Sequence, residues 1–171
     1  MKLIREKSCC FTGHRNIPDA DGLWIRKRVR QEIKALSQQG IEIFFAGGAK
    51  GFDTFAAQEV VRLREEDMPQ LRLVLALPYL GQDKNWAAKD SAAYHALIRK
   101  ADEVIYVSDC YKKGCYLLRD RYMVDNSAYC LCYLNRNQRR SGTAYTIRYA
   151  RLQGLPVINL TSFGPWDQDS D

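Results

Sequence analysis

Six short apolar runs separated by five segments of helical spacing constrain this chain more than any other property of its sequence. The runs are Ser8-Cys9-Cys10-Phe11-Thr12, then 41–46 (Ile-Glu-Ile-Phe-Phe-Ala), 71–77 (Leu-Arg-Leu-Val-Leu-Ala-Leu), 102–107, 129–134 (Tyr-Cys-Leu-Cys-Tyr-Leu) and 155–160. Between them, 23–38, 52–66, 87–100, 115–127 and 142–153 repeat apolar residues at helical intervals, as with Leu23, Val29, Ile33 and Leu36, or Phe55, Ala56, Val60 and Leu63. Continuous apolar strands are buried on both faces, and helices of this length suit right-handed crossovers between parallel neighbours. The pattern predicts an α/β fold of three layers: a mostly parallel six-stranded sheet with helices on both faces.

Composition narrows the class. With 171 residues, 46% of them hydrophobic, the chain is long enough for one domain with an ordinary core, expected over about 7–160. The tail 161–171, with Gly164, Pro165 and three aspartates, reads as flexible. No stretch approaches the roughly 20 apolar residues that cross a bilayer, and the charged start Met1-Lys2-Leu3-Ile4-Arg5 is no signal sequence. A cytoplasmic protein without a membrane partner is expected. Of the six cysteines, Cys9, Cys10, Cys130 and Cys132 fall inside strands, which favours buried reduced thiols over disulfides. Cys110 and Cys115 miss zinc spacing, and His14 and His95 are the only histidines, so no metal is expected. The net charge is +6, and residues 111–151 alone carry nine basic and two acidic side chains. Such a surplus attracts phosphate or nucleic acid where it converges on one face, and otherwise solvates helix surfaces.

In a sheet of this kind ligands bind beyond the carboxyl ends of the strands. The polar and glycine-rich segments fall at those ends. Thr12-Gly13-His14-Arg15 follows the first strand; Gly47-Gly48-Ala49-Lys50-Gly51-Phe52-Asp53 links the second to its helix; Pro78-Tyr79 follows the third; Ser141-Gly142-Thr143 opens the last helix. Glycines let backbone approach a ligand, and amides at a helix start donate to phosphate or carboxylate oxygens. Arg15 offers a fixed fork for an anion, and His14 beside it can bind or move a proton. Asp53 either caps the following helix and pins the glycine loop, or faces the pocket and holds a sugar hydroxyl. No Ser-His-Asp or Cys-His set is legible, so no catalytic residue is named. Tyr79, Trp86 and Tyr106 are candidates for stacking or for packing.

Together, Cys10-Phe11-Thr12-Gly13-His14-Arg15, Phe45-Ala46-Gly47-Gly48-Ala49-Lys50-Gly51-Phe52-Asp53-Thr54, Leu77-Pro78-Tyr79 and Gly142-Thr143-Ala144 resemble the YpsA and YoqJ type of bacterial protein over about 7–160. That type belongs to the SLOG superfamily, with the Lonely-Guy enzymes and the DprA/Smf DNA-processing proteins. The resemblance implies a Rossmann-like domain whose ligand is a nucleotide or nucleotide-derived molecule, without a known cofactor. It implies contacts from Thr12, Gly13, His14, Arg15, Gly47, Gly48, Lys50, Gly51, Asp53, Pro78, Tyr79, Gly142 and Thr143. It also links the chain to phage-related functions and leaves a homo-oligomer open.

Two relatives suggest alternatives. Lonely-Guy enzymes carry Gly-Gly-x-Gly-Thr-x-x-Glu, whereas this chain reads Arg139-Arg140-Ser141-Gly142-Thr143-Ala144-Tyr145-Thr146, with threonine in the glutamate's place. Cleavage of a nucleotide-derived ligand at an N-glycosidic or phosphoribosyl bond would then need another carboxylate. Gly48-Ala49-Lys50-Gly51-Phe52-Asp53 is close to the Ala-Arg-Gly-Ile-Asp loop of the DNA-processing proteins, which keeps single-stranded nucleic acid as a possible partner.

Overall fold

The computed structural model describes residues 1–135 and 140–161. The expected flexible tail lies, apart from Thr161, outside the described residues. The strands are β1 (Ser8–Gly13), β2 (Ile43–Ala46), β3 (Arg72–Leu77), β4 (Glu103–Tyr106), β5 (Tyr129–Tyr133) and β6 (Val157–Asn159). The helices are α1 (Gly22–Gln38), α2 (Phe52–Glu66), α3 (Ala88–Lys100), α4 (Cys115–Asp125) and α5 (Gly142–Leu152). Strands and helices alternate as the apolar runs require, and the sheet runs in the order β4-β3-β2-β1-β5-β6 with every pairing parallel.

Alternate residues of each strand feed the two layers. Phe11, Phe44, Leu73 and Leu75 pack beneath α1, α2 and α3, where Ile25, Val29 and Ile33 and then Phe52, Ala56 and Val60 complete the larger core. Cys10, Phe45 and Val74 face the other way, onto Met123 and Val124 of α4 and Ile147 and Ala150 of α5. The central strands are therefore apolar at almost every position, whereas the edge strands β4 and β6 are only half-buried. One helical residue departs from the sequence reading. Leu23 is 82% exposed, and Ile25 takes the buried stripe with Val29, Ile33 and Leu36. Spacing fits either residue at the helix start, and in the folded chain Ile25 is the one that lies on the face turned to the core.

The strand order sets where a ligand can enter. From β1 the chain steps outward to β4; α4 then carries it back across the opposite face to β5, on the other side of β1. The order in which strands are added thus reverses between β1 and β5, although the two run parallel, and crevices open at such switch points. No helix among the described residues is long and apolar enough to cross a membrane.

Candidate functional site

At the switch point, β1 and β5 pair through Thr12 with Cys132 and Gly13 with Tyr133. Beyond the last pair the buried His14 continues the seam: its Nε2 accepts the backbone N–H of Asn135 at 2.9 Å. Burial pushes the His14 pKa below its ordinary value, and an accepting Nε2 carries no proton, so the ring is neutral with its hydrogen on Nδ1. The edge of the Tyr133 ring meets it with centroids 5.7 Å apart. Gly13 is required by contact: a Cβ there would lie 2.4 Å from the Phe52 ring, where the start of α2 presses on the end of β1.

The loop from β2 to α2 is held from three sides. Asp53 accepts the Gly47 N–H at 2.9 Å, the Arg119 guanidinium donates to the Gly47 carbonyl, and Gln82 Nε2 donates to the Gly48 carbonyl at 3.3 Å. Gly51 has φ +76°, and a Cβ on it would sit 2.3 Å from the Arg15 carbonyl oxygen. Asp53 pins the loop from the first turn of α2; Gly51, not Asp53, is the residue that caps that helix. Burial drives the Asp53 pKa up to about 6. The Arg119 guanidinium pulls it back, Asp120 adds to the rise, and the amides of Gly47 and Ala49 hold it down.

These elements enclose a cavity of about 340 Å³. Thr12, Gly13, His14 and Arg15 line it from β1 and its loop, Asp53 from α2, and Gly142 and Thr143 from the start of α5. The fourth wall is α4, through Tyr116, Arg119 and Asp120. Arg119 is buried and donates from Nε to Asp120 Oδ1 at 2.6 Å, and Asp120 Oδ2 lies 3.1 Å from the Thr146 hydroxyl. Arg15 is exposed, leans over the Tyr116 ring at 5.3 Å from its centroid, and makes no ion pair among the described residues. Ser141 caps α5, its Oγ accepting the Ala144 N–H at 3.1 Å.

Other candidates lie elsewhere. Lys50 and Gly51 line a second cavity of about 540 Å³, which shares Arg15 and Asn16 with the first. Gly47 and Gly48 are buried in the loop itself and line neither cavity. Pro78 and Tyr79 also line neither, because β3 stands two strands from β1; Tyr79 reaches the first cavity only indirectly, its hydroxyl 3.3 Å from that of Tyr116. Trp86 packs edge-on against Tyr94, Tyr106 is exposed at the sheet edge, and the exposed His95 pairs with Asp83 at 2.9 Å. All six cysteines are free; five are buried, whereas Cys110 is exposed. Among the described residues no three His, Cys, Asp or Glu side chains are grouped to hold a metal ion.

The α4 wall was not read from the sequence. A signal existed: Cys115, Arg119 and Met123 recur every fourth residue and all are buried, which puts a charged side chain on a buried helical stripe.

Comparison with known proteins agrees with this architecture. A UPF0398 protein of Halalkalibacterium halodurans is 30% identical over 106 residues, 61% of this chain and 56% of that one. The UPF0398 protein YpsA of Bacillus subtilis is 29% identical over 79 residues, 46% of this chain and 43% of its own. The matched stretches thus span less than two thirds of either curated relative. Among solved structures, the DNA processing protein A of Helicobacter pylori, described for its single-stranded DNA binding mode, superposes with a TM-score of 0.61 at 16% identity, over 91% of this chain and 65% of that one. The structural-genomics target TM1055 gives 0.59 at 19% identity, over 95% and 78%. At these identities the likeness is one of fold, a Rossmann-like sheet. The sequence model of the YspA SLOG family matches residues 10–154, and the chain belongs to that family.

Proposed function

We propose that the cavity between the ends of β1 and β5 binds a nucleotide or nucleotide-derived small molecule by its phosphate. The observation that carries this reading is the convergence of the first turns of α2 and α5 on one cavity that also holds Arg15. The amides of Gly142 and Thr143 have no acceptor within their own helix, and the positive end of the helix favours an anion. Arg15 adds a guanidinium fork, and the Thr143 hydroxyl a further polar contact. Asp53 and Arg119 serve by holding the loop against the cavity, and His14 by tying its floor together.

Calorimetric titration with AMP and ADP tests this. Arg15→Ala should weaken binding by about tenfold or more, while the melting temperature of the empty protein stays nearly unchanged, because Arg15 is exposed and makes no ion pair among the described residues. Equal affinity in wild type and variant, or no response to either nucleotide, would overturn it. A response confined to a single-stranded oligonucleotide and falling steeply with salt would move the function to the basic surface instead.

A second reading has one specific support. Asp120 comes from α4 to within 3.1 Å of Thr146, the residue that stands where the Lonely-Guy pattern carries its glutamate. A carboxylate is thereby supplied to the cavity from another helix, as hydrolysis of a nucleotide-derived ligand would need. Mass-spectrometric detection of a cleavage product that disappears in Asp120→Asn would make the protein an enzyme; an intact ligand after long incubation would leave it a binding domain.

A further inference from the structure

The second cavity is not used by this reading. It opens between α1, α2 and α3 and meets the first at Arg15 and Asn16. Its charged lining is Arg15, Arg26, Lys50 and Lys89 against a single carboxylate, Asp90. Neither Arg15, Lys50 nor Lys89 forms an ion pair among the described residues, whereas arginines elsewhere on α1 and α2 are tied to carboxylates. Arg26 is only partly neutralised. It lies 3.5 Å from Glu59, which also serves Arg30 at 3.6 Å and Arg62 at 2.7 Å, and the Arg26 Nη1 is buried without a hydrogen-bond acceptor. Positive charge therefore exceeds negative in a concave site, the condition that concentrates anions.

The aromatic groups decide what kind of anion. Bases of a single strand stack on open ring faces. Among the described residues Phe55 is the one aromatic side chain that lines this cavity, and the Arg26 guanidinium lies over its ring, 4.0 Å from the centroid. A cation occupies the position a base would need on that ring, so the cavity suits phosphate rather than a stacked nucleoside.

We propose that the second cavity is a second phosphate subsite, and that the ligand is a nucleotide carrying phosphate groups at two places, with Arg15 between them. This rests on the first cavity holding the nucleotide. Two chemistries supply a second phosphate: a linear polyphosphate chain, as in ATP, or a second phosphate ester on the ribose, as in adenosine 3′,5′-bisphosphate. The shared requirement is a second anionic group in reach of Lys50 and Lys89.

Calorimetry in magnesium-free buffer with AMP, ATP and adenosine 3′,5′-bisphosphate separates the cases. At least one of the two ligands with additional phosphate should bind about tenfold tighter than AMP, and which one identifies the chemistry. Lys89, which lines only the second cavity, provides the control. Lys89→Gln should reduce that advantage by about threefold and Lys89→Glu by more, with AMP affinity within about twofold of wild type. Equal binding of AMP and both larger ligands would overturn the second subsite and leave the first cavity standing, as would an advantage that survives Lys89→Glu. Failure of all three nucleotides to bind would remove both.

Discussion

His14 Nε2 and the backbone N–H of Asn135 are 2.9 Å apart, and this hydrogen bond fastens the loop after β1 to the loop after β5 across the point where the sheet reverses its order. Burial depresses the His14 pKa below 6.5, and the neutral ring that it favours is the form that can accept this bond. The unfolded chain binds the proton more readily. The contribution of His14 to stability is therefore complete above about pH 6.5 and is lost as pH falls through the folded value. His14→Gln should cost more at pH 8 than at pH 5, relative to wild type, in urea midpoints. A cost that grows on acidification would contradict the neutral, accepting ring.

Asp53 has the opposite sign. Its carboxyl is raised from 3.8 to about 6, so its contribution is complete below about pH 3.8 and is lost as pH rises through about 6. Asp53→Asn, which does not ionise, should gain on wild type as pH climbs from 4 to 7. Parallel stability curves for the two proteins over that range would contradict the assignment.

The same side chain separates charge from hydrogen bonding. Asp53→Ala leaves the Gly47 N–H without its acceptor in a buried loop, and should destabilise the protein at pH 7 by about 1–3 kcal/mol more than Asp53→Asn does. Equal chemical denaturation of the two variants would mean that the amide finds another partner.

Three glycines in the site should respond differently to alanine. Gly13→Ala drives a methyl into the Phe52 ring and should cost about 1–3 kcal/mol. Gly51→Ala combines φ +76° with a Cβ 2.3 Å from backbone, and should cost at least about 2 kcal/mol. Gly142 has nothing within 4 Å of its Cβ position, so Gly142→Ala should change stability by less than about 0.5 kcal/mol. Thermal denaturation ranks them, and a Gly142 variant as damaged as the Gly51 variant would contradict this loop geometry.

Thiol chemistry reports the layers directly. Cys110 is exposed while the other five thiols are buried, and burial pushes the Cys132 thiol well up, away from the reactive thiolate. Ellman's reagent should titrate one thiol in the native protein and six after denaturation. Rapid native reaction of a second thiol would mean that the β1–β5 seam or the start of α4 opens.

Strands announce themselves in this chain because both faces of the sheet are covered, so that runs such as Leu71–Leu77 carry almost no polar residue. The loops after β1 and β2 were legible for a related reason: Gly13 and Gly51 stand where a neighbour presses too closely for a side chain, and such residues mark where backbone meets backbone. Arg119, Asp120 and Tyr116 were not legible. They enter the site only because α4 crosses back from β4 to β5, and that route depends on strand order, which local periodicity does not encode. Strand order likewise removes Pro78 and Tyr79 from the cavity although they end a strand as Thr12 and Gly13 do.

The reversal between β1 and β5 also sets a timetable for synthesis. A nascent chain that has emerged through β4 can already lay β1 to β4 side by side, but one flank of β1 then has no partner, and Thr12 and Gly13 border an unpaired edge. That edge closes only when α4 delivers β5, more than a hundred residues after β1. The seam beside the cavity is thus closed late, with only the β6 edge added after it, and the half-made protein is most prone to stray strand pairing next to that cavity.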